Sequence, residues 1–578
     1  MPVPAPVLPP GTAYSRRVVL GDDVLRLDGN EGTRPDPGLL VRALDDLTTE
    51  ELRRYPNQDP LTTDIAARWE LSTDRVLLTA GGDDLIDRCC RAQLGPGRRL
   101  LLPSPTFEMF ERYASLTGCR IERVPWGREG YPVDRLLAAA AEGEPVGLLP
   151  VVSPNNPTGA VVSADELERV IVGLPDTLML LDHAYVEHAD EDLTRLALQW
   201  PNVVVLRTFS KAWGLAGCRV GYGLGDPEVL AVLKRAGAPH PLAAPSLAIA
   251  RRRFAEGDES LEPHVRRVRR ERASFTTRAE RLGLSPRPSQ ANFVFLDEAT
   301  KADDDTSPPF LVDALESLGV IVRWLPQAEG VRVTMPGDEA ESARLSEALS
   351  IVREPEALLL DLDGVLADVT CSQLACILAT AADWNVTLTE SDVRAAQLAG
   401  DANDDWRLTQ RLLARAGVEV ALEAVTERYQ QRYLGTDERP GLQAREGLIP
   451  PRELLARLAA ERPLAVVTGR PRAEAELFLD RTELTSLFSI VITRDDAALK
   501  PDPEPVRLAL DRLGFGRAWM VGDTSDDTRA ARSAGVLPLA VLPPGLSTSD
   551  AETARRSLRS AGAARVLTGL NELVELLP

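Results

Sequence analysis

The stretch that decides the fold of the N-terminal half is residues 203–219, which read VVVLRTFSKAWGLAGCR. Residues 203–206 form a short aliphatic run, which predicts a buried strand. A polar, glycine-rich segment follows this run and contains Lys211. In open α/β sheets, ligands bind outside the carboxyl ends of the strands. The sequence therefore predicts that Lys211 lies in a ligand pocket.

Lysine is rare in this chain: of 66 basic residues, the only lysines are Lys211, Lys234, Lys301 and Lys500. Arginine stays protonated, whereas a lysine with a lowered pKa can act as a nucleophile. Lys211 and Lys500 are therefore candidates for chemistry. The alternative is the chance survival of single lysines in an arginine-rich sequence.

Other aliphatic runs between residues 76 and 225 also end at polar clusters. Residues 146–152 lead into SPNNPTG at 153–159, and residues 178–181 lead into DHAY at 182–185. Amphipathic stretches separate these runs, which predicts a largely parallel sheet with crossover helices and the α/β class. The segment TAGGD at 79–83 lies between a predicted strand and a predicted helix, where backbone N–H groups can hold an anion.

These motifs, in this order, resemble those of fold-type I pyridoxal-phosphate aminotransferases, and residues 20–350 are similar to the histidinol-phosphate aminotransferase family. The resemblance implies a large α/β domain, a small α+β domain, bound pyridoxal 5'-phosphate and a catalytic Lys211. It also implies that the cofactor is contacted by Tyr55, Gly81, Gly82, Asp83, Phe107, Asn156, Asp182, Tyr185, Ser210, Lys211 and Arg219.

Individual roles follow from the same resemblance. Asp182 would keep the pyridine nitrogen of the cofactor protonated, and Asn156 and Tyr185 would hydrogen-bond its ring oxygen. Ser210 and Arg219 would complete the phosphate cradle that begins in the TAGGD segment.

The substrate and the subunit arrangement are implied in the same way. Arg332 matches the arginine that binds the anionic group of the substrate, with Arg323 assisting, and glutamate is the expected amino donor. Tyr55 resembles the tyrosine that relatives contribute to the phosphate of the neighbouring subunit, which implies a homodimer.

The sequence departs from the family pattern at three places. Phe107 stands where a tyrosine often stacks on the cofactor, His183 replaces an acidic residue, and Gly32 follows an otherwise matching Asn30 and Glu31. These departures leave the identity of the substrate open.

A second set of motifs begins with LLLDLDGVL at 358–366, where an apolar strand ends at Asp361 and Asp363. Thr468 ends the run at 464–467, Lys500 lies in LKPD at 499–502, and VGDTSDD at 521–527 follows another predicted strand. These four motifs, in this order, resemble those of the haloacid dehalogenase superfamily of phosphatases over residues 357–570.

That resemblance implies a role for each residue. Asp361 would attack phosphorus, and Asp363 would protonate the leaving oxygen and later activate water. Thr468 and Lys500 would hold the phosphoryl oxygens. Because clustered carboxylates repel a phosphate, Mg²⁺ is expected, held by Asp361, the backbone carbonyl of Asp363, and Asp523, with Asp527 in support.

The polar, proline-containing joint at 353–356 separates the two sets of motifs. We therefore predict an aminotransferase over residues 1–354 and a Rossmann-like phosphatase over residues 355–578, with a helical cap at about 365–448. Residues 402–406 in that cap either contact a substrate or form a solvated helix end.

Length and composition limit the remaining possibilities. The 578 residues predict two to four folded units, and a net charge of −21 disfavours binding to nucleic acid or to an anionic membrane. The six cysteines show no pairing pattern of a disulfide framework or zinc cluster. Residues 1–10 carry no basic start or apolar region of a leader, so we expect a cytoplasmic protein.

The sequence thus predicts a bifunctional enzyme. Our best interpretation is transamination of imidazole-acetol phosphate to histidinol phosphate with glutamate, followed by hydrolysis of histidinol phosphate. One alternative is the same pair of reactions on another phosphorylated amino compound of specialised metabolism. A second is that one half is a non-catalytic scaffold.

Overall fold

The computed structural model describes residues 24–32, 34–45, 47–298, 308–398, 404–436 and 439–578. Residues 1–10, for which we expected no leader, lie outside the described residues, as do Lys301 and residues 402–403.

The chain is divided into two compact units. The first contains residues 24–298 and Ile321–Arg344, and the second contains Pro308–Val320 and Leu345–Pro578. The domain boundary near residue 354 stays a prediction.

A seven-stranded sheet forms the centre of the first unit. Its order is Val76–Thr79, Gly221–Leu224, Val203–Thr208, Leu178–Asp182, Val146–Val152, Arg99–Ser104 and Arg120–Pro125. Gly221–Leu224 is antiparallel to both of its neighbours, and the pairs from Val203–Thr208 to Arg120–Pro125 are parallel. The largely parallel sheet predicted from the sequence is therefore confirmed.

Alternate residues of the central strands enter two separate apolar clusters. Leu180 and Leu206 belong to one cluster, and Leu181 and Val205 belong to the other. A strand that is buried on both faces needs an apolar residue at every position, which explains the continuous aliphatic runs in the sequence. Helices cover both faces, as expected for a parallel sheet.

The helices of the first unit precede, connect and follow these strands. They are Pro37–Asp45, Thr49–Arg53, Asp59–Trp69, Gly82–Gln93, Glu108–Ser115, Val133–Ala140, Ala164–Gly173, Thr194–Ala197, Pro227–Ala236, Ala244–Ala255 and Glu262–Arg281. The run of charged residues at 251–281 predicts one charged helix with a solvated face, but the structure interrupts it. Gly257 has a φ of 74°, which a right-handed helix cannot contain, and a new helix begins at Glu262 with Pro263 in its first turn.

A small antiparallel sheet closes the first unit. Its order is Arg323–Leu325, Gly330–Thr334, Phe293–Asp297 and Ser285–Pro286. The short strands Leu25–Arg26 and Val320–Ile321 form a separate pair, and the helix Glu339–Arg353 follows the small sheet along the chain. This is the small α+β part that the sequence predicted.

A six-stranded parallel sheet forms the centre of the second unit. Its order is Phe488–Ile492, Leu464–Val467, Ala357–Leu360, Ala518–Gly522, Leu537–Val541 and Arg565–Leu567. The accompanying helices are Phe310–Ser317, Arg452–Glu461, Arg472–Arg481, Glu504–Leu513, Ser525–Ser533, Thr548–Ala561 and Leu573–Leu576. The α/β class is thereby confirmed for this half as well.

Along the chain, four helices lie between the strand Ala357–Leu360 and the helix Arg452–Glu461. They are Gln373–Ala382, Glu390–Leu398, Asp405–Arg415 and Leu422–Leu434. They share a core that includes Cys376, Leu408 and Tyr429, and we call them the cap. The chain enters and leaves the cap through an antiparallel pair, Ala367–Asp368 with Gly447–Leu448. The short strands Gly435–Thr436 and Arg439–Pro440 pair near its end.

None of the helices in the described ranges has both the length and the apolar composition needed to cross a bilayer.

Trp519 is the largest of the fully buried side chains, and it gives a test of the second unit's packing. Its Nε1 donates to the carbonyl of Ile351 at 2.7 Å, and its ring packs edge-on against Phe310 at 5.4 Å. Trp519→Phe leaves that carbonyl without its donor and removes ring volume, so we expect a loss of about 2 to 4 kcal/mol in the free energy of unfolding.

Calorimetry of the full chain carrying Trp519→Phe should show one unfolding transition whose midpoint temperature is lower by several degrees. We assign that transition to the second unit. Trp384→Phe is the matched control, because Trp384 is only half-buried. A transition that is equally lowered by both variants would contradict the assigned role of Trp519.

Candidate active sites

Lys211 follows the strand Val203–Thr208 and points toward the segment that begins at Asp28. Its Nζ donates to the carbonyl of Gly29 at 3.2 Å and lies 5.4 Å from the centre of the Tyr185 ring. A Cβ at position 32 would lie 1.9 Å from the backbone oxygen of Lys211. This contact explains why glycine occupies position 32, where the sequence departs from the expected motif.

Asp182 ends the neighbouring strand and is buried, with 4% of its surface exposed. Its Oδ1 accepts the backbone N–H of Ala184 at 2.9 Å. Burial raises the pKa of Asp182 to about 7; Asp83 adds to this effect and Lys211 opposes it. A carboxyl group in this position gains stability from a nearby positive charge, such as a protonated pyridine nitrogen.

Asn156 and Tyr185 are held by side chains from distant parts of the chain. The Tyr185 hydroxyl accepts from Nδ2 of Asn30 at 3.0 Å, and Oδ1 of Asn156 accepts from Nη1 of Arg332 at 2.6 Å. Nη2 of Arg332 donates to the carbonyl of Asp28 at 2.6 Å. The structure therefore brings the predicted substrate arginine to the predicted cofactor residues.

The predicted phosphate cradle is assembled at the start of the helix Gly82–Gln93. Gly81 has a φ of 81°, and a Cβ there would lie 2.6 Å from Nη2 of Arg219. Nη1 of Arg219 donates to Oγ of Ser210 at 3.4 Å, and Nη2 pairs with Asp83 at 3.1 Å. Backbone N–H groups of a helix start, a hydroxyl and a guanidinium are the groups that hold a phosphate. These residues therefore fit pyridoxal phosphate.

Two of the predicted residues, Arg323 and Phe107, lie at the edge of the group of predicted cofactor and substrate residues around Lys211. Arg323 is the register partner of Arg332 but has Nη2 3.7 Å from Glu108. Phe107 is half-buried and packs against the apolar core of the first unit.

Tyr55 lies at the surface, 81% exposed, with its ring stacked on His240 at 4.4 Å. The structure does not bring Tyr55 together with the other predicted cofactor residues. Its assignment to a neighbouring subunit stays a prediction.

The second site is centred on Lys500, which bridges two buried carboxylates. Its Nζ lies 2.7 Å from Oδ1 of Asp361 and 2.5 Å from Oδ1 of Asp527, and it donates to the carbonyl of Val467 at 2.9 Å. Burial alone would lower the pKa of Lys500, but Asp361 and Asp527 raise it above its usual value. The ammonium group therefore stays charged.

The carboxylates of Asp361, Asp523 and Asp527 each place an oxygen within 4.8 Å of the others. Burial raises the pKa of Asp361 to about 7, with Asp527 and Asp363 adding to the effect, and it raises the pKa of Asp523 well above its usual value. Three crowded carboxylates with one ammonium need a further cation to ionise fully. A hard oxygen donor set of this kind fits Mg²⁺.

Glycine permits the close approach of these loops. Gly364 has a φ of 69°, and a Cβ there would lie 2.1 Å from Oδ2 of Asp523. Thr468 lies at the end of the neighbouring strand, where its Oγ1 accepts the backbone N–H of Arg470 at 3.2 Å. The structure thus gathers Asp361, Thr468, Lys500, Asp523 and Asp527 at one edge of the sheet.

Asp363 has a partner that the sequence analysis missed. Nε of Arg470 donates to Oδ1 of Asp363 at 2.8 Å, and Nη1 of Arg470 donates to Glu446 at 3.0 Å. Arg470 could have been found, because it lies two residues after Thr468 at a strand end. Glu446 gave no such signal, since it lies in an irregular segment beyond the cap.

A cavity of about 80 Å³ lies between these strand ends and the cap. The cap contributes Gln373, Asp405, Trp406, Tyr429 and Tyr433, and the sheet side includes Arg470 and Glu474. The hydroxyl of Tyr429 donates to Oδ2 of Asp405 at 2.7 Å, and Arg494 lies over the Trp406 ring at 4.6 Å. Within the segment 402–406, Asp405 and Trp406 therefore face the candidate site.

Two family models match this chain. Residues 22–349 match the family model described as aminotransferase class I and II, and residues 358–541 match the model described as haloacid dehalogenase-like hydrolase.

A histidinol-phosphate aminotransferase of Symbiobacterium thermophilum is 34% identical over 339 residues, which cover 57% of this chain and 90% of that protein. An imidazoleglycerol-phosphate dehydratase of Phytophthora nicotianae is 41% identical over 237 residues, which cover 39% of this chain and only 52% of that protein. The crystal structure of histidinol-phosphate aminotransferase from Sinorhizobium meliloti in complex with pyridoxal-5'-phosphate has a TM-score of 0.52 at 26% identity, covering 56% of this chain and 89% of that chain.

Asp405 gives a test of the electrostatics of the cap. Burial raises its pKa to about 7, so the folded protein binds this proton more tightly than the unfolded chain does. Stability is therefore lost as the pH rises from about 4 to 7, by up to about 1.4 kcal/mol per pH unit. Asp405→Asn has no such proton to lose. Relative to the wild-type chain, we expect its free energy of unfolding to be higher by about 2 to 4 kcal/mol at pH 8 and by about half of that at pH 5.5.

The measurement is calorimetry of the second unit's transition, identified by Trp519→Phe. Asp383→Asn is the opposite control: the Asp383 carboxylate pairs with Arg432, which holds its pKa below the usual value, so this variant should lose a little stability at both pH values. A gain for Asp405→Asn that is the same at both pH values would contradict the expected pKa.

Proposed function

Because the chain belongs to the aminotransferase class I and II family and carries a haloacid dehalogenase-like hydrolase domain, we propose that it converts imidazole-acetol phosphate to histidinol phosphate and then hydrolyses this product to histidinol and phosphate. The two predicted resemblances and the combination of both enzyme activities in one chain are confirmed. The substrates, the amino donor glutamate and the individual residue roles are the proposal.

In the first unit, the proposed cofactor site is formed by the residues gathered around Lys211. When bound, pyridoxal phosphate withdraws electrons from the carbon atom that carries the amino group of the substrate. Asp182 would hold the proton on the pyridine nitrogen, and Asn156 and Tyr185 would orient the ring. The phosphate would be held by Ser210, Arg219 and the backbone at Gly81 and Gly82, with Asp83 pairing with Arg219.

Lys211 and Arg332 carry the proposed chemistry on the substrate. Lys211 Nζ would move the proton to and from the substrate carbon that bears nitrogen. Arg332, already positioned by Asn156 and Asp28, would bind the anionic group of the substrate, with Arg323 assisting.

In the second unit, Asp361 would attack phosphorus, so that a bond forms from its carboxylate oxygen to phosphorus and the ester P–O bond breaks. Asp363 would protonate the leaving oxygen and then take a proton from the water that releases phosphate. Thr468 and Lys500 would hold the phosphoryl oxygens. Mg²⁺, held by Asp361, Asp523, Asp527 and the carbonyl of Asp363, would neutralise phosphate charge.

The observation that carries the proposed substrate is the lining of the second cavity. Asp405 and Glu474 place two carboxyl groups next to the proposed proton donor, which a cationic amine would keep ionised, and Trp406 and Tyr429 supply flat aromatic surface. Such a lining favours a leaving group with a cationic amine and a planar ring, which histidinol has. The names of two relatives support this, since both refer to imidazole or histidinol phosphates.

A homodimer is part of the proposal. The surface around Tyr55 exposes Leu40, Val41, Leu44 and Leu52 beside a groove of about 840 Å³ that Tyr55 lines. Adjacent exposed apolar side chains favour a protein interface. Tyr55 would then contact the cofactor phosphate of the neighbouring subunit.

We also propose a cytoplasmic location. The six cysteines of the chain are all free thiols in the structure, which suits a reducing compartment.

The two activities should be separable by single substitutions. Lys211→Arg should abolish amino transfer and the long-wavelength absorption of the bound cofactor, and Asp361→Asn should lower phosphate release by more than about a thousandfold. Each variant should keep the other activity. The matched controls are Lys234→Arg and Asp511→Asn, which change exposed residues on helices. Loss of both activities in either catalytic variant would contradict two separate sites.

A coupled assay tests the shared intermediate. Imidazole-acetol phosphate and glutamate, supplied with Mg²⁺ and pyridoxal phosphate, should give histidinol and free phosphate without another enzyme. With Asp361→Asn, histidinol phosphate should accumulate instead. Accumulation with the wild-type chain would contradict the shared intermediate, and failure of both steps with cofactor bound would favour another phosphorylated amino compound.

A further inference from the structure

Arg470 is buried between the sheet and the cap of the second unit, with 3% of its side chain exposed. Its Nε and Nη2 both donate to Oδ1 of Asp363, and its Nη1 donates to Oε2 of Glu446. The guanidinium carbon also lies 5.9 Å from the ring centre of Tyr433, on the last helix of the cap. One cation therefore links the proposed proton donor to a second carboxylate.

Glu446 in turn is held by both ends of the cap. Its Oε1 accepts from Oγ of Ser372 at 2.7 Å and from the hydroxyl of Tyr433 at 2.9 Å. Ser372 directly precedes the first cap helix, and Glu446 directly precedes the strand Gly447–Leu448, by which the chain leaves the cap. The position of Glu446 is therefore tied to the position of the cap.

A buried guanidinium cannot easily lose one of its two carboxylates. Removing a partner leaves a charge uncompensated in a medium of low polarity, and the rigid fork of arginine fixes the direction of the remaining hydrogen bonds. The guanidinium is paired with both carboxylates, Asp363 and Glu446, at hydrogen-bond distance. Displacement of Glu446 therefore changes how Arg470 holds Asp363.

The cavity between the strand ends and the cap is small for an organic substrate. A volume of about 80 Å³ holds a phosphate-sized group, whereas pockets for small organic ligands are typically about 300 to 1,000 Å³. A phosphorylated amino alcohol is larger than this volume, and a movement of the cap away from the strand ends would make room for it.

We propose that Arg470 is a positioning residue, which Glu446 holds in place when the cap is closed and which then orients the carboxyl group of Asp363 toward the leaving oxygen. Because both contacts of Arg470 fall on Oδ1, the proton is transferred from Oδ2. The link from Glu446 through Arg470 thus couples the orientation of the proposed proton donor to the position of the cap. The inference rests on the proposed role of Asp363 as proton donor.

The test compares two substrates that differ in their need for a proton. Nitrophenolate leaves without protonation, and phenolate benefits from it, so the ratio of kcat for phenyl phosphate to kcat for p-nitrophenyl phosphate reports on the proton donor. In Arg470→Gln this ratio should fall by about ten- to a hundredfold, within the usual contribution of a general acid. Arg470→Lys, which can reach only one carboxylate at a time, should restore part of it.

Glu446→Gln tests the link to the cap without changing a residue that contacts Asp363. The same ratio should fall in this variant by a smaller factor, and the double variant should be no worse than Arg470→Gln alone. Arg472→Gln is the matched control: Arg472 begins the next helix and pairs with Glu476 and Asp496 rather than with Asp363 or Glu446, and the ratio should not change.

Several outcomes would overturn the proposal: an equal loss of kcat on both substrates, a rise in KM alone, or an unchanged ratio in Glu446→Gln. If Arg470→Gln does not fold, Arg470→Lys and Glu446→Gln decide the question. Asp363→Asn tests the proposed role of Asp363 separately from that of Arg470. An unchanged ratio in this variant would contradict the role of Asp363 as proton donor.

Discussion

A carboxylate at the end of a fully buried strand must either find a positive charge or keep its proton, and each unit of this protein is built around one. Asp182 has a pKa raised by burial, with Lys211 opposing the effect, and Asp361 is bridged by Lys500. The loops around Asp182 and Asp361 supply a positive charge or leave room for one. Both candidate sites are therefore places where the fold leaves an electrostatic cost that a ligand can relieve.

This constraint is also why the sequence predicted so much of the two sites. The strands Val146–Val152 and Leu464–Val467 have the predicted limits, because a strand buried on both faces reads as an uninterrupted aliphatic run. Parallel strands end at the same edge of a sheet. Polar residues that follow such runs in the sequence are therefore brought together, as Asp361 and Lys500 are.

The parts of the two sites that the sequence did not predict depend on contacts between residues far apart in the chain, and no local sequence pattern encodes such contacts. Arg332 reaches Asn156 because two strands of the small sheet pair in a particular register, while its register partner Arg323 turns to Glu108. Glu446 meets Arg470 only because the ends of the cap pack against the sheet. The interruption near Gly257 could have been read from the sequence, since glycine and a nearby proline mark a break, but the continuous run of charged residues was given more weight.

The antiparallel pair Ala367–Asp368 with Gly447–Leu448 places the two ends of the cap side by side. A segment whose ends already meet can be lengthened, shortened or exchanged with little change in the chain entropy of the remaining fold. The parallel sheet and its carboxylates then stay the same while the cavity between the sheet and the cap changes. The cap is in this sense a replaceable part, and new phosphatase specificities can arise from this scaffold by substitution of that single insertion.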